Sequence, residues 1–258
     1  MIRLVINYLV LISCSVSITL AQPNHPQIVV HRGANHLAPE NTMASTLKCV
    51  ELGTDYVEVD VRMSRDGVFY VLHDETLDRT TNGTGYIKDK LASEIDQLDA
   101  GSWYHEDFKG EKVPRLKSLL LEIRGEVKIY FDVKQADLEK LIELVYETGF
   151  EHDSFFWFGD HKQTELFREL NENLALKMNA RDIADLRAAL KYNPEIIECG
   201  VKNLSADFID LCKQHNLKIM IYGKDTKKAY REVINSVADM VNLNKPELML
   251  ELLKEQQH

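Results

Sequence analysis

Two histidines, three carboxylates and two cationic side chains in the first half of the chain have the types and spacing of a single chemical site. Glu58 and Asp60 are two residues apart, as are Asp132 and Lys134. In an extended strand, residues two apart project from one face. Three carboxylates facing a common space repel one another unless a cation neutralises them, and their hard oxygens suit Mg2+ or Ca2+. One divalent cation held by Glu58, Asp60 and Asp132 is therefore expected. His31 and His73 are suited to general acid and base work beside it, because an unperturbed imidazole titrates at about 6.5. Arg32 can fork onto phosphate oxygens, and Lys134 can hold another as a point charge. Together these roles describe metal-assisted cleavage of a phosphodiester.

Such a set needs a scaffold that carries all of it to one rim. From Ile28 onward, short β-branched runs alternate with amphipathic stretches, the pattern of a parallel sheet wrapped by helices. Strands are expected at 28–33, 56–61, 127–134, 154–158, 174–178, 195–199, 217–222 and 239–243. Helices are expected at 41–52, 115–124, 137–149, 162–173, 182–192, 205–216, 226–237 and 246–256. Eight of each in strict alternation predict a (β/α)8 TIM barrel, whose site lies at the C-terminal ends of the strands. Each of the seven residues falls at or near such an end.

An extra strand, 68–73, follows the second barrel strand after only Ser64-Arg65-Asp66-Gly67, too short for a parallel crossover. It should fold back as a hairpin with its turn near Asp66, returning His73 beside Glu58. Glu75 to Pro114 is rich in Gly, Asp and Thr and contains Asn82-Gly83-Thr84-Gly85. With the hairpin it forms an expected insertion, about 62–114, on the catalytic face.

The chain divides into a leader, 1–22, and one domain, 23–258. Arg3 precedes a mostly apolar run from Leu4 to Leu20, which ends at Leu20-Ala21-Gln22 and meets polar residues. Asn7, Ser13, Ser15, Ser17 and Thr19 interrupt the run, so it reads as a signal peptide rather than a membrane span. Export to the periplasm or outside the cell is the expectation. Leu11-Ile12-Ser13-Cys14 resembles a lipoprotein cleavage box, which would anchor the protein through a lipid on Cys14. The apolar run continues past Cys14, which favours a leader that merely contains a cysteine. The remaining Cys49, Cys199 and Cys212 are odd in number and lack Cys-x-x-Cys spacing, excluding a complete disulfide framework and a thiolate zinc site. They read as buried small hydrophobes. A formal charge of −10, from 41 acidic and 31 basic residues, excludes a broad electrostatic grip on nucleic acid. The expected partner is a small phosphodiester.

His31-Arg32-Gly33, Ala38-Pro39-Glu40-Asn41-Thr42, Glu58-x-Asp60-Val61, Asp66-Gly67 and His73-Asp74 stand in the order and spacing of a known signature. The chain resembles the glycerophosphodiester phosphodiesterases, strongly as far as Lys134 and weakly beyond it. The resemblance implies the barrel, a divalent metal on Glu58, Asp60 and a carboxylate of the next barrel strand, and acid-base catalysis by His31 and His73. The implied reaction releases an alcohol and glycerol 3-phosphate. The family commonly has Glu-x-Lys where this chain has Asp132-Val133-Lys134. Its late Trp-Thr and Thr-Asp pairs are replaced by Ile221-Tyr222-Gly223 and Asn242-Leu243-Asn244.

Asp132 and the leader also suit a phospholipase-D-like lyase that forms a cyclic phosphate from a lysolipid. The departures from the family pattern suit a non-catalytic phosphate-binding barrel. Among the neighbouring residues, Asp74 is read as orienting a side chain, Glu40 as favouring a helix start, and Asn41 as the cap of that helix. Trp103, Tyr104, Phe108 and Trp157 can equally pack or line an alcohol pocket. The remaining histidines show no partner pattern.

Overall fold

The computed structural model describes residues 25–256, so the expected leader, with Cys14, lies outside the described residues. The first half runs β1 (Gln27–Val30), α1 (Met43–Leu52), β2 (Tyr56–Met63), β3 (Phe69–Val71), α2 (Ala92–Ile95), α3 (Leu116–Glu122), β4 (Lys128–Val133) and α4 (Leu138–Thr148). The second runs β5 (Ser154–Phe158), α5 (His161–Leu170), β6 (Ala175–Asn179), α6 (Ile183–Ala189), β7 (Ile196–Cys199), α7 (Ala206–Gln214), β8 (Lys218–Tyr222), α8 (Lys227–Ile234), β9 (Met240–Leu243) and α9 (Pro246–Glu255). Apart from β3, all strands are parallel, and β1 pairs with both β2 and β9. That double pairing closes the (β/α)8 barrel.

Side-chain alternation along the strands builds two apolar layers. Val57, Val59 and Val61 of β2 and Ile129, Phe131 and Val133 of β4 face outward into the core under the helices. Val29, Tyr56, Tyr130, Phe155, Ile196, Met220 and Met240 fill the lower barrel interior. The helices begin where a side-chain oxygen meets their free N–H groups: Asp137, Asp160, Asp182, Ser205 and Thr226 each cap one. Each such cap contributes about 1 kcal/mol.

Three local expectations need correction. β1 ends at Val30 rather than Gly33, because Arg32 and Gly33 both take positive φ, 57° and 74°. This turn brings the chain against α1 so closely that a Cβ on Gly33 would lie 2.5 Å from Ser45 Oγ. Asn41 does not cap α1. Thr42 does, accepting from the Ser45 N–H, while Asn41 sits at φ 56° and turns its amide toward β2.

The third correction concerns the hairpin. β3 folds back antiparallel on β2 as expected, with Val61 opposite Val71. The Ser64 N–H donates to the Val68 carbonyl at 2.9 Å, leaving a three-residue loop centred on Asp66 with Gly67 at φ 84°. An odd loop centred there sets His73 level with Val59, not with Glu58. The segment that follows builds a small core of its own around Tyr70, Leu77, Ile87 and Ile95. It is tied to the first turn of α1, where the Ala44 N–H donates to Glu111 at 3.1 Å. Cys49, Cys199 and Cys212 are free and buried, in line with their reading as small hydrophobes. Among the described residues no helix is long and apolar enough to cross a membrane.

Candidate active site

β2 and β4 are neighbours whose register puts Asp60 opposite Asp132 and Glu58 opposite Tyr130. The two aspartates therefore stand at one level, with Glu58 one inward position below. Carboxylate oxygens of Glu58, Asp60 and Asp132 all lie within 4.8 Å of one another, and all three residues are buried. Glu58 Oε1 and Asp132 Oδ1 have no hydrogen-bond partner, and Asp60 Oδ1 meets only the Lys134 ammonium. Burial, and then Asp60 and Asp132, push the Glu58 carboxyl well above the ordinary carboxylate range. Burial and Asp60 raise Asp132 as well. Buried, mutually repelling and unpartnered oxygens are what a hard divalent cation would relieve, so the donor set fits Mg2+ or Ca2+.

The remaining acceptor positions are taken by the chain itself. The Arg32 N–H donates to Glu58 Oε2 at 2.5 Å, and Asn41 Nδ2 donates to Asp60 Oδ2 at 2.7 Å. Lys134 Nζ lies 2.7 Å from Asp132 Oδ2 and 3.1 Å from Asp60 Oδ1. The Arg32 guanidinium lies 3.1 Å from Glu40 and 3.5 Å from Asp60. Both cations thus border the carboxylates, close to where a phosphate beside them would sit.

His31 lines the barrel mouth together with Glu58 and Asp132, in a cavity of about 150 Å³. Its Nδ1 is 2.9 Å from Asn244 Oδ1. The Asn244 amide is itself oriented, because its Nδ2 donates to Asp225 at 2.7 Å and a carboxylate only accepts. His31 therefore donates from Nδ1 and leaves Nε2 free. Burial lowers its proton affinity first; the Asn244 hydrogen bond opposes this, Arg32 lowers it further, and Asp60 and His73 act in opposite directions. On the hairpin side, His73 Nδ1 pairs with Asp74 at 2.7 Å, and the His73 carbonyl accepts from both Arg62 Nε and Nη2. Arg79, from the inserted segment, bridges Asp74 and Glu40 at 2.6 and 2.8 Å.

All seven expected residues thus surround one end of the barrel. Asp74 orients His73, as expected. Glu40 stands two residues before the α1 cap and pairs there with Arg32 and Arg79. Trp157 lines the mouth, with Lys134 and Lys177 over its ring, whereas Trp103 lies in the inserted segment, 42% exposed, and donates from Nε1 to the Ala100 carbonyl. Sequence reasoning missed Arg79, Asp225, Asn244, Lys177 and Glu198. Lys177 had a readable signal, a lysine inside the apolar strand Leu176–Met178; Arg79 had none, because it acts by joining Asp74 to Glu40, 39 positions away in the chain.

The family model for the glycerophosphoryl diester phosphodiesterase family matches residues 31–164, more than half of the chain and including every one of the seven residues. The chain belongs to this family. Membership places it among the phosphoric diester hydrolases. A glycerophosphodiester phosphodiesterase of Caldanaerobacter subterraneus subsp. tengcongensis is 28% identical over 240 residues, 88% of this chain and 97% of that protein. The crystal structure of a glycerophosphodiester phosphodiesterase from Agrobacterium tumefaciens superposes with a TM-score of 0.82 at 38% identity, covering 88% of this chain and 99% of that one. A phosphodiesterase of Oleispira antarctica, solved with its product sn-glycerol-3-phosphate, shares the fold with a TM-score of 0.80 at 23% identity, covering 89% and 97%. The family match carries through the β2–β4 carboxylates despite the shorter Asp132.

Proposed function

We propose that the protein hydrolyses glycerophosphodiesters to glycerol 3-phosphate and an alcohol, with His31 and His73 as acid-base pair and Glu58, Asp60 and Asp132 as ligands of Mg2+ or Ca2+. The observation that carries this reading is the buried carboxylate triad with unpartnered oxygens, flanked by two imidazoles whose Nδ1 atoms are each held by a partner. When bound, the cation supplies charge neutralisation and polarises the phosphate. Arg32 and Lys134 hold non-bridging oxygens. One histidine takes a proton from the attacking water at Nε2, and the other gives a proton to the departing alkoxide as its phosphorus–oxygen bond breaks.

Asn244 and Asp74 keep each ring in the tautomer that exposes Nε2. A cyclic phosphate product would mark the lyase outcome, and phosphorus NMR of the products separates the two. The leader places this activity outside the cytoplasm in the same reading, which fractionation of cells expressing the full chain tests. Purified protein is incubated with glycerophosphocholine or glycerophosphoethanolamine, with and without chelator. Metal-dependent release of the alcohol is expected; no release under either metal rejects the proposal in favour of a binding-only barrel.

A further inference from the structure

The inserted segment brings to the site one side chain that the proposed chemistry does not use. Arg79 sits in a tight turn, where the Thr81 N–H and hydroxyl both donate to the Leu77 carbonyl, at 3.1 and 2.6 Å. Leu77 is buried in the segment's own core, which gives the turn a rigid base. From there the guanidinium reaches two carboxylates at once. Nε and Nη2 donate to Asp74 Oδ2 and Oδ1 at 2.6 and 3.1 Å. Nη1 and Nη2 donate to Glu40 Oε2 and Oε1 at 3.0 and 2.8 Å. Each carboxylate holds an active group on its other side. Asp74 Oδ1 is 2.7 Å from His73 Nδ1, and Glu40 Oε1 accepts from Arg32 Nη1 at 3.1 Å. His73, Asp74, Arg79, Glu40 and Arg32 thus form one continuous chain of hydrogen bonds. It starts at a histidine assigned to proton transfer and ends at an arginine assigned to the phosphate.

Stability alone does not account for this arrangement. The Arg79 side chain is 43% exposed, and exposed ion pairs contribute little once the entropy of ordering a long side chain is subtracted. Geometry is what it supplies. Two edges of one planar guanidinium each take a carboxylate in a fork, which fixes the angle and the separation between them. A lysine, a point charge on a flexible stem, fixes neither. Among the described residues, the only other charged contact of the Arg32 guanidinium is Asp60 at 3.5 Å, so Glu40 is its main hold. Arg62 clamps the His73 carbonyl, but the ring is directed by Asp74. We infer that Arg79 is a positioning residue for the reaction, holding the His73 ring and the Arg32 guanidinium in one fixed relation. This rests on the phosphodiesterase reading above and adds to it the residue through which the inserted segment acts.

The test measures kcat and KM for glycerophosphocholine in metal-loaded Arg79→Ala and Arg79→Lys, together with calorimetric binding of sn-glycerol 3-phosphate. Displacing a reacting group by about 1 Å costs about 10²-fold in rate, and kcat should fall by that order in both variants. Affinity for sn-glycerol 3-phosphate should fall about tenfold, the loss of one hydrogen bond to a charged group at Arg32. The melting temperature should drop by only about 2–4 °C, so both variants are folded in the assay. Glu40→Gln and Asp74→Asn separate the two ends. The first should weaken sn-glycerol 3-phosphate binding and raise KM, whereas the second should lower kcat with that binding retained; a merely structural role gives no such split. Unchanged kcat or unchanged affinity in Arg79→Ala, full rescue by lysine, or the same pattern in Glu40→Gln and Asp74→Asn overturns the inference while leaving the catalytic reading intact. If the unmodified protein cleaves nothing, the catalytic reading falls. Loss of sn-glycerol 3-phosphate affinity in Arg79→Ala and Glu40→Gln, but not in Asp74→Asn, then upholds the tie by itself, and its absence rejects it.

Discussion

Asn41 and Asp60 are joined by two hydrogen bonds, from Asn41 Nδ2 to Asp60 Oδ2 at 2.7 Å and from the Asp60 backbone N–H to Asn41 Oδ1 at 3.3 Å. The pairing of β1 with β2 stops at Val30, and β3 begins its ladder only at Val61, so the Asp60 N–H has no strand partner. Asn41 fills that gap and fixes the carboxylate at once. Outer partners of metal ligands are typically worth 10–100-fold in affinity. Asn41→Gly keeps the left-handed backbone free of strain but removes the amide, and should weaken Mg2+ or Ca2+ binding by that range. Unchanged affinity in a metal titration would show that Asp60 needs no clamp.

Cation binding should stabilise the fold, because it relieves the repulsion among Glu58, Asp60 and Asp132. At 100 times the dissociation constant, linkage gives about 2.7 kcal/mol. Glu58→Gln and Asp132→Asn should each lose most of the metal-induced rise in melting temperature, whereas Lys134→Ala should keep it and bind phosphate poorly. A melting temperature unmoved by millimolar Mg2+ or Ca2+ in chelator-stripped protein contradicts the assignment.

His31→Ala and His73→Ala should each lower kcat by roughly 10²–10⁴-fold, the usual loss for an acid or base. Both should retain the metal-induced stabilisation, since neither ring is assigned to the cation. Loss of metal binding in either variant would make that histidine a ligand instead.

Arg79 holds two carboxylates at once, which ties its effect to pH. Its hydrogen bond is the main cause that keeps Asp74 well below the ordinary range; burial works to raise Glu40, but Arg79 and Arg32 overcome it. Groups with lowered folded pKa values stabilise the fold fully above their unfolded values, near 4, and lose that contribution as pH falls through the folded ones. Arg79→Ala should therefore destabilise by a constant amount from pH 7 to about pH 5, and by less below pH 4. Arg79 is 43% exposed, so the cost should be about 1 kcal/mol or less. Denaturant melts across this range check it, and a cost that grows toward acid would reverse the sign.

Burial raises the Cys49 and Cys199 thiols to about 12 and the Cys212 thiol to about 11. At pH 8 almost no thiolate is present to react. Peptide mapping after brief treatment with a thiol reagent should find these three unlabelled in folded protein and labelled in denaturant. Rapid native labelling of Cys49 would indicate local opening of α1.

Sequence alone determined the parts of this protein that depend on short-range pattern. Strand alternation put Glu58 with Asp60 and Asp132 with Lys134 on common faces, and eight strand–helix alternations implied a barrel with its site at the strand ends. The ordered motifs from His31 to His73-Asp74 pointed to the family. The tertiary structure decided what depends on register and closure. A three-residue loop shifted His73 by one position, and the positive φ of Arg32, Gly33 and Asn41 turned a supposed helix cap into a clamp on Asp60. The contacts Asn244–His31, Asp225–Asn244, Arg79–Glu40 and Lys177–Glu198–Asn242 were not legible, because they join residues 19 to 213 positions apart; only the lysine within an apolar strand showed by itself. Only closing β1 onto β9 brings Asn244 to His31, 213 positions apart. Local sequence sets the face a side chain occupies, whereas its partner is set by which strands pair and at what register.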